Sequence, residues 1–447
     1  MYKLEIIVFE NGERYPILMG SDGMPHFLAT LWVTAKLRSS MAVNTISNRL
    51  RTLKWFFQWE EKESRELFLE FQQGLFLSQV DIDNIKEHLS LDISHINGLS
   101  NKKSRSNVID IGITPKLIQV TPSVARNNIY NRLTVIAEYL KFIATIAVQN
   151  KTNHFFTSAI EKMTHDILAL RPKGKGKKTI SNVDGKNIPD GLIDEFMSVA
   201  HFEHPKNPFK DLSTKKRNHL MFVLLYELGI RRGELLSLTM GENLDILGSN
   251  KYVTIRRLHD DKHDPRKRQP VAKTRERKLQ LTNYTAALID DYIINIRAKT
   301  PNSGKHPYLF VTHRKGPTQG QPISISTFDT IIVPAMKAVD ERFKAIHPHY
   351  FRHNWNLNFS RLVDNNNELA TDPKNKRTRV EPSEEAKKRM HQMGHSSESS
   401  AEPYMVRHIR EKTNKIILEE QEKFKQKLAS LDSYNRHSAP DFAIFSA

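Results

Sequence analysis

Apolar and polar positions alternate over the first residues of the chain. Leu4, Ile6 and Val8 precede Asn11-Gly12, and Tyr15 and Ile17 follow it. A two-residue period on both sides of Asn-Gly predicts a short β-hairpin, because that pair tolerates the positive φ angles of a tight turn. From about residue 26 the period becomes helical. Ile46, Leu50, Leu53 and Phe57 recur at i, i+4, i+7 and i+11, one face of a helix. Arg49, Arg51 and Lys54 fall on its other faces. A second helix is predicted to open at Thr121-Pro122, a cap residue followed by proline in the first turn. Its apolar stripe is Ile129, Leu133, Ile136, Leu140 and Ile143. Residues 94–116, rich in Asn, Ser and Lys, predict an extended loop between them. Residues 26–170 thus predict an all-α domain with a basic exterior, preceded by the hairpin of residues 1–25.

Residues 171–189 read RPKGKGKKTISNVDGKNIP. Gly and Pro interrupt regular structure, and Lys173, Lys175, Lys177 and Lys178 repel one another, so a basic linker is expected. Four lysines also suit a strand lying along a phosphate backbone; the ordinary alternative is a solvated loop. After the linker the pattern turns mixed, which predicts a mainly α domain with a small β-sheet over residues 190–431. Residues 214–228 predict a buried helix stopped by Gly229. The stretches from Tyr252 and from 271 to 281 predict two strands, 282–298 and 324–343 further helices, and 407–431 a last helix. A tail, 432–447, ends in Phe442, Ile444 and Phe445. No internal repeat interrupts this order.

Charge changes the picture more than composition does. Lys and Arg number 68 against 50 Asp and Glu, a formal charge of +18. A surplus of that size predicts a polyanionic partner, whether DNA, RNA or an acidic membrane face. No apolar run approaches the roughly 18 residues that span a bilayer, and the first residues lack the layout of a secretory signal. The chain has no cysteine, which excludes disulfides, thiolate metal sites and cysteine nucleophiles and fits a cytoplasmic setting.

Four clusters carry candidate chemistry. Gly229-Ile230-Arg231-Arg232-Gly233-Glu234 follows an apolar helix and sets Arg231 at an element junction, although an arginine after a terminal glycine is commonly just solvated. Lys273 falls inside the second predicted strand, where a plain phosphate contact is its ordinary role. His349-Tyr350-Phe351-Arg352-His353 gathers three nitrogen-bearing side chains. With a guanidinium between the histidines, an anion site fits better than a metal. Gly394-His395 is followed at His+9 by Tyr404. A phenol of pKa near 10 is a poor nucleophile at pH 7 unless a base and neighbouring cations assist it.

Taken in order, G-x-R-x-x-E, then Lys, H-x-x-R-H, G-H and a tyrosine nine residues on resemble the tyrosine recombinase (phage integrase) family. The resemblance covers roughly residues 190–410. The helical segment before it is similar to that family's core-binding domain only in composition, length and position. By position, the resemblance implies Tyr404 as nucleophile, forming a 3′-phosphotyrosyl link to DNA. It implies Arg231 and Arg352 as clamps on the scissile phosphate, His349 as base and Lys273 as acid toward the departing 5′ oxygen. His395 would donate to the phosphorane, with Glu234 and His353 in support. Lys173, Lys175, Lys177, Lys178, Arg49 and Arg51 are the candidate contacts along the DNA. The resemblance further implies double-stranded DNA at two recombining sites, a homotetramer joined through a C-terminal segment, accessory DNA-bending or directionality proteins, and no membrane. No metal ligand set or cofactor is expected: arginines substitute for a metal, and the phosphotyrosyl bond stores the energy for rejoining.

The chain departs from the family pattern in places. Arg352 and His395 stand 43 residues apart, and the extra length, residues 363–389, predicts a polar surface loop, with a contact to DNA or to a neighbouring subunit as the alternative. The hairpin loop ahead of Lys273 is extended, which leaves Lys267 and Lys278 as rivals. Its cluster His259, Asp260, Asp261, His263 and Asp264 predicts a solvated charged turn rather than a metal site. The last helix carries a thin apolar stripe of Ile417, Phe424, Leu428 and Leu431, which suits docking on a neighbouring protomer or packing within the chain. Two other functions remain open from sequence: a monomeric type IB topoisomerase, and a non-catalytic DNA-binding regulator on the same fold.

Overall fold

The computed structural model describes residues 2–92, 123–151, 154–173, 189–371, 377–397 and 402–437, the last stretch with side chains at 408, 409 and 411–427. Thr121-Pro122, the 94–116 segment, Lys175, Lys177, Lys178 and the tail Phe442–Phe445 lie outside these. The chain divides into two compact units, residues 1–179 and 180–447. No helix among the described residues is long and apolar enough to cross a membrane.

In the first unit β1 (Lys3–Val8) and β2 (Arg14–Met19) pair antiparallel, with Lys3 opposite Met19 and Val8 opposite Arg14. Gly12 takes φ +91 in the turn, the conformation the Asn-Gly pair allows. Tyr15, Ile17 and Leu18 of β2 enter the same core as the helices. Those are α1 (Phe27–Trp32), α2 (Val43–Lys62), α3 (Leu67–Gln73), α4 (Gln79–Ser90), α5 (Arg126–Ala147) and α6 (His154–Ala169). The predicted face of α2 is the buried one: Ile46, Leu50, Leu53 and Phe57 are all under 5% exposed, each worth roughly 1.5–3 kcal/mol when fully buried. On α5, Leu133, Ile136, Leu140 and Ile143 are buried likewise. Ser78 caps α4 with a reciprocal bond: its Oγ accepts from Asp81 N, and Asp81 accepts from Ser78 N.

The second unit opens with α7 (Leu192–Ala200) and is built around α8 (Leu212–Leu228). Leu220 through Leu225 are buried without interruption, so the helix is apolar on every side at its centre. Gly229 ends it at φ +60. A Cβ there would lie 2.9 Å from Trp355 Cγ and 3.0 Å from Met393 Cε, so only glycine both turns the chain and admits those neighbours. Next come α9 (Arg232–Leu236), β3 (Leu244–Asp245), β4 (Tyr252–Ile255) and β5 (Arg277–Gln280), which make one antiparallel sheet in that order. Tyr252 faces Gln280, and Ile255 faces Arg277. The strand expected over 271–281 is therefore only its second half, and Lys273 sits in the segment ahead of it. That segment instead bonds across to the 394 turn, where Arg275 N donates to Gly394 O at 3.0 Å. Helical turns follow over 283–297 and 325–337. Three longer helices complete the unit: α10 (Pro348–Leu369), α11 (Pro382–Met393) and α12 (Glu402–His437).

Two sequence expectations fail here. The 363–389 stretch is not a loop at its two ends: residues 363–369 continue α10 to Leu369, and 382–389 open α11. Its polar residues misled because some of them are buried and bonded. Arg389 is 0% exposed and donates from Nη1 to Asn356 O and Oδ1 at 3.0 Å, and from Nη2 to Ser360 Oγ at 2.6 Å and Glu385 at 2.5 Å. The charged turn near 259–266 is not solvated throughout. Asp261, Asp264 and Arg266 are buried. Arg266 grips Asp264, donates to Leu236 O and Ile323 O, and lies over the Tyr308 ring, whose hydroxyl donates to Asp261 at 2.5 Å.

Candidate active site

The site forms where four stretches of the second unit meet. Arg231 is the residue on which α9 starts. Its backbone N–H donates to Glu234 Oε2 at 3.0 Å, a first-turn carboxylate satisfying an otherwise open donor. The Arg231 side chain is 29% exposed, and its Nη1 stands 3.6 Å from Glu234 Oε1. That Nη1 is buried and has no hydrogen-bond partner among the described residues.

Arg352 lies in the second turn of α10 and is 0% exposed. Nη1 donates to Gly229 O at 3.0 Å, and Nη2 to Met393 O at 2.7 Å. Nη2 also lies 3.0 Å from His395 Nε2. A guanidinium can only donate, so His395 Nε2 accepts and the ring's proton resides on Nδ1. Arg352 thus straps the end of α8 to the turn after α11 and selects the His395 tautomer. That turn needs Gly394: φ is +63, and a Cβ would stand 2.7 Å from Arg277 Nη1 and 2.9 Å from Thr274 Cβ.

Both imidazoles are held neutral. His349 is lowered to about 4 by loss of water, then by the nearby charges of Arg352, Arg231 and His347. His395 is lowered to about 4 by burial and by Arg352, Arg231 and Arg277, with Glu234 opposing. The same cations act on both rings, which brings His349, His395, Arg231 and Arg352 into one electrostatic neighbourhood. His353 sets its ring edge-on to His349, with centroids 4.7 Å apart.

Glu234 is wholly buried. Burial alone would raise its pKa. Arg277, with bonds from Thr274 and from the Arg231 backbone, outweighs that and holds the carboxyl below its ordinary value. Thr274 Oγ1 donates to Glu234 Oε1 at 2.6 Å, and Arg277 Nη2 to Oε2 at 2.9 Å. Thr274 and Arg277 escaped the sequence reading. A signal for Arg277 was present: it shares the inward face of β5 with Leu279, so an arginine stood in an apolar row. Lys273 is exposed, between buried Ala272 and Thr274. Tyr404 lies in the first turn of α12, and its side chain is outside the described residues.

Among the candidate DNA contacts, Lys173 is exposed. Arg49 is ion-paired with Glu138 and lies 5.7 Å from the centre of the Trp32 ring. Arg51 donates to Asn48 Oδ1 at 2.5 Å. No group of three or more His, Asp or Glu among the described residues could hold a metal ion.

Two guanidinium groups beside two neutral imidazoles suit an oxyanion, since arginine forks match phosphate oxygens and neutral rings can move protons. Residues 201–365 match the model of the phage integrase family. The match takes in Arg231, Glu234, Lys273, His349 and Arg352 but stops short of His395 and Tyr404. No curated protein sequence matches the chain. Among solved structures, the chain is similar to the integrase of the Tn1549 transposon in complex with transposon right-end DNA. The identity is 15% and the TM-score 0.42, over 85% of this chain and 93% of that one. A likeness that slight carries no weight for fold or function.

Proposed function

We propose that this chain is a site-specific tyrosine recombinase that cleaves and rejoins DNA strands through a 3′-phosphotyrosyl intermediate, and that it integrates or excises a mobile element. The convergence of Arg231, Arg352, His349 and His395 from distant stretches supports this reading above all else. The Tyr404 hydroxyl attacks the scissile phosphorus and loses its proton to His349. The bond to the 5′ oxygen breaks, and Lys273 supplies the proton that oxygen takes as it leaves. The products are a tyrosyl 3′-phosphodiester and a free 5′-hydroxyl. A 5′-hydroxyl from the second duplex then reverses the steps and yields the Holliday junction.

Negative charge grows on the non-bridging oxygens during attack, where Arg231 and Arg352 are best placed to offset it. His395 donates from Nδ1 to the same oxygens. Because each exchange conserves one phosphodiester bond, no nucleotide is consumed. Recombination needs two duplexes, which favours a homotetramer over a monomeric topoisomerase. The C-terminal helix supports assembly: His408 and Lys412 anchor it to Asp364 of α10, while Ile416, Leu418 and Phe424 beyond that anchor are at least 59% exposed. A nicked suicide substrate tests the chemistry. The parent chain is expected to form a covalent protein–DNA adduct and Tyr404→Phe to form none while still binding. Binding without an adduct in the parent would leave a regulator on the same fold.

A further inference from the structure

Nothing in the reaction above explains how Lys273 is aimed. Its side chain is exposed, and the strand that was expected to hold it starts only at Arg277. The backbone on either side, however, is fastened to one element, the turn and helix that carry Arg231. Before Lys273, a Cβ on Gly233 would stand 2.9 Å from Val271 O, so the two segments touch main chain to main chain. After it, Thr274 Oγ1 donates to Glu234 Oε1 at 2.6 Å, inside a region where both residues are buried. Arg277 closes the set. It donates to Glu234 Oε2 at 2.9 Å, to Thr274 Oγ1 at 2.8 Å and to Gln392 O at 2.7 Å.

We propose that Thr274 and Arg277 are positioning residues that register the proton donor Lys273 against the phosphate clamp of Arg231, with Glu234 as the shared anchor. The inference rests on the recombinase reading and deepens it: the acid and the clamp form one body, and a hydroxyl that touches no substrate sets the acid's reach. Removing that hydroxyl takes away the tie to Glu234 nearest Lys273, while the bonds of Arg277 to Glu234 and of Arg275 N to Gly394 O remain and keep the segment folded. A shift of about 1 Å in a proton donor is enough to cost roughly 10²-fold.

The test uses the full-length chain and two nicked DNA substrates, one ordinary and one with sulfur in place of the bridging 5′ oxygen of the scissile phosphate. A departing thiolate needs no proton, so faults of the acid disappear on sulfur and faults of the clamp do not. Thr274→Val is expected to form adduct about 10²-fold more slowly on the oxygen substrate, at the parent's rate on the sulfur substrate, and with unchanged DNA affinity. Thr274→Ser, which keeps the hydroxyl, is expected within a few-fold of the parent on both. An oxygen-substrate defect in Thr274→Val that persists on sulfur, or no defect at all, overturns the proposal. Should Thr274→Val fail to fold, Arg277→Lys is read in its place; a defect that sulfur leaves undiminished again overturns the proposal. Lys273→Ala separates the layers. If sulfur does not rescue it, Lys273 is not the acid, and the inference falls together with that part of the recombinase reading. If sulfur rescues Lys273→Ala but not Thr274→Val, the positioning role alone is lost.

Discussion

At the scale of single residues, the site is governed by how arginines treat their neighbours. His349 and His395 both titrate near 4 rather than 6.5 because water is excluded and two guanidinium charges stand close by. Between pH 4 and 6.5 the unfolded chain therefore binds more protons than the folded one, so stability contributed by these rings is complete above pH 6.5 and is lost as the pH falls toward 4. The rings stay neutral in the free protein, ready to accept or relay a proton. On the proposed recombinase reading, a phosphodiester seated between Arg231 and Arg352 would offset their charge and lift both pKa values. The acid limb of kcat/KM, which reports the free enzyme, is thus expected near pH 4, and that of kcat at a higher pH. Single-turnover cleavage rates measured from pH 4 to 8 check this; a kcat/KM limb at 6.5 contradicts it. The candidate residues were named from their joint order and spacing, since each alone has an ordinary reading. Thr274 and Arg277 were not, because their value lies in a partner on another element.

At the scale of elements, periodicity located what is one-sided and missed what is buried and polar. The faces of α2 and α5 and the hairpin follow local patterns, so they read directly. The stretch after Leu362 did not, because Arg389 and Glu385 look like solvent-facing charge until Asn356 and Ser360 of α10 are brought against them. Breaking such a buried set leaves donors and acceptors without partners. Arg389→Ala is expected to destabilise the second unit by about 3–5 kcal/mol, read as a shift in urea unfolding. By contrast Glu384→Ala removes an exposed pair with Lys388, each side chain 51% exposed, and is expected to cost less than about 0.5 kcal/mol. Equal effects from the two substitutions would show that Arg389 is no strut. The strand over 277–280 was read too long for a related reason. Its first half bonds to the turn at Gly394, a partner more than a hundred residues away, and no local pattern encodes that.

At the scale of the whole molecule, the formal charge of +18 sets the terms of binding. A protein that neutralises six to ten backbone phosphates loses about 10³–10⁵ in affinity between 50 and 200 mM salt. Fluorescence anisotropy on duplex DNA is expected to show a loss of that order, and a flat response would argue against DNA as the partner. Not every arginine contributes to that slope, since Arg49, Arg266, Arg277 and Arg389 already have carboxylate partners within the chain. By itself the sequence determined the charge, the hairpin, the apolar faces of the helices, and the order of Arg231, Lys273, His349, Arg352, His395 and Tyr404, since these depend on residue type and on spacing within a few turns. Only the tertiary structure decided which arginines are solvated and which are struts, that the 363–389 stretch is helical at both its ends, and that one buried carboxylate ties the lysine segment to the Arg231 turn. A charge in water and a charge in a core are spelled alike, and what separates them is a partner that folding supplies from far along the chain.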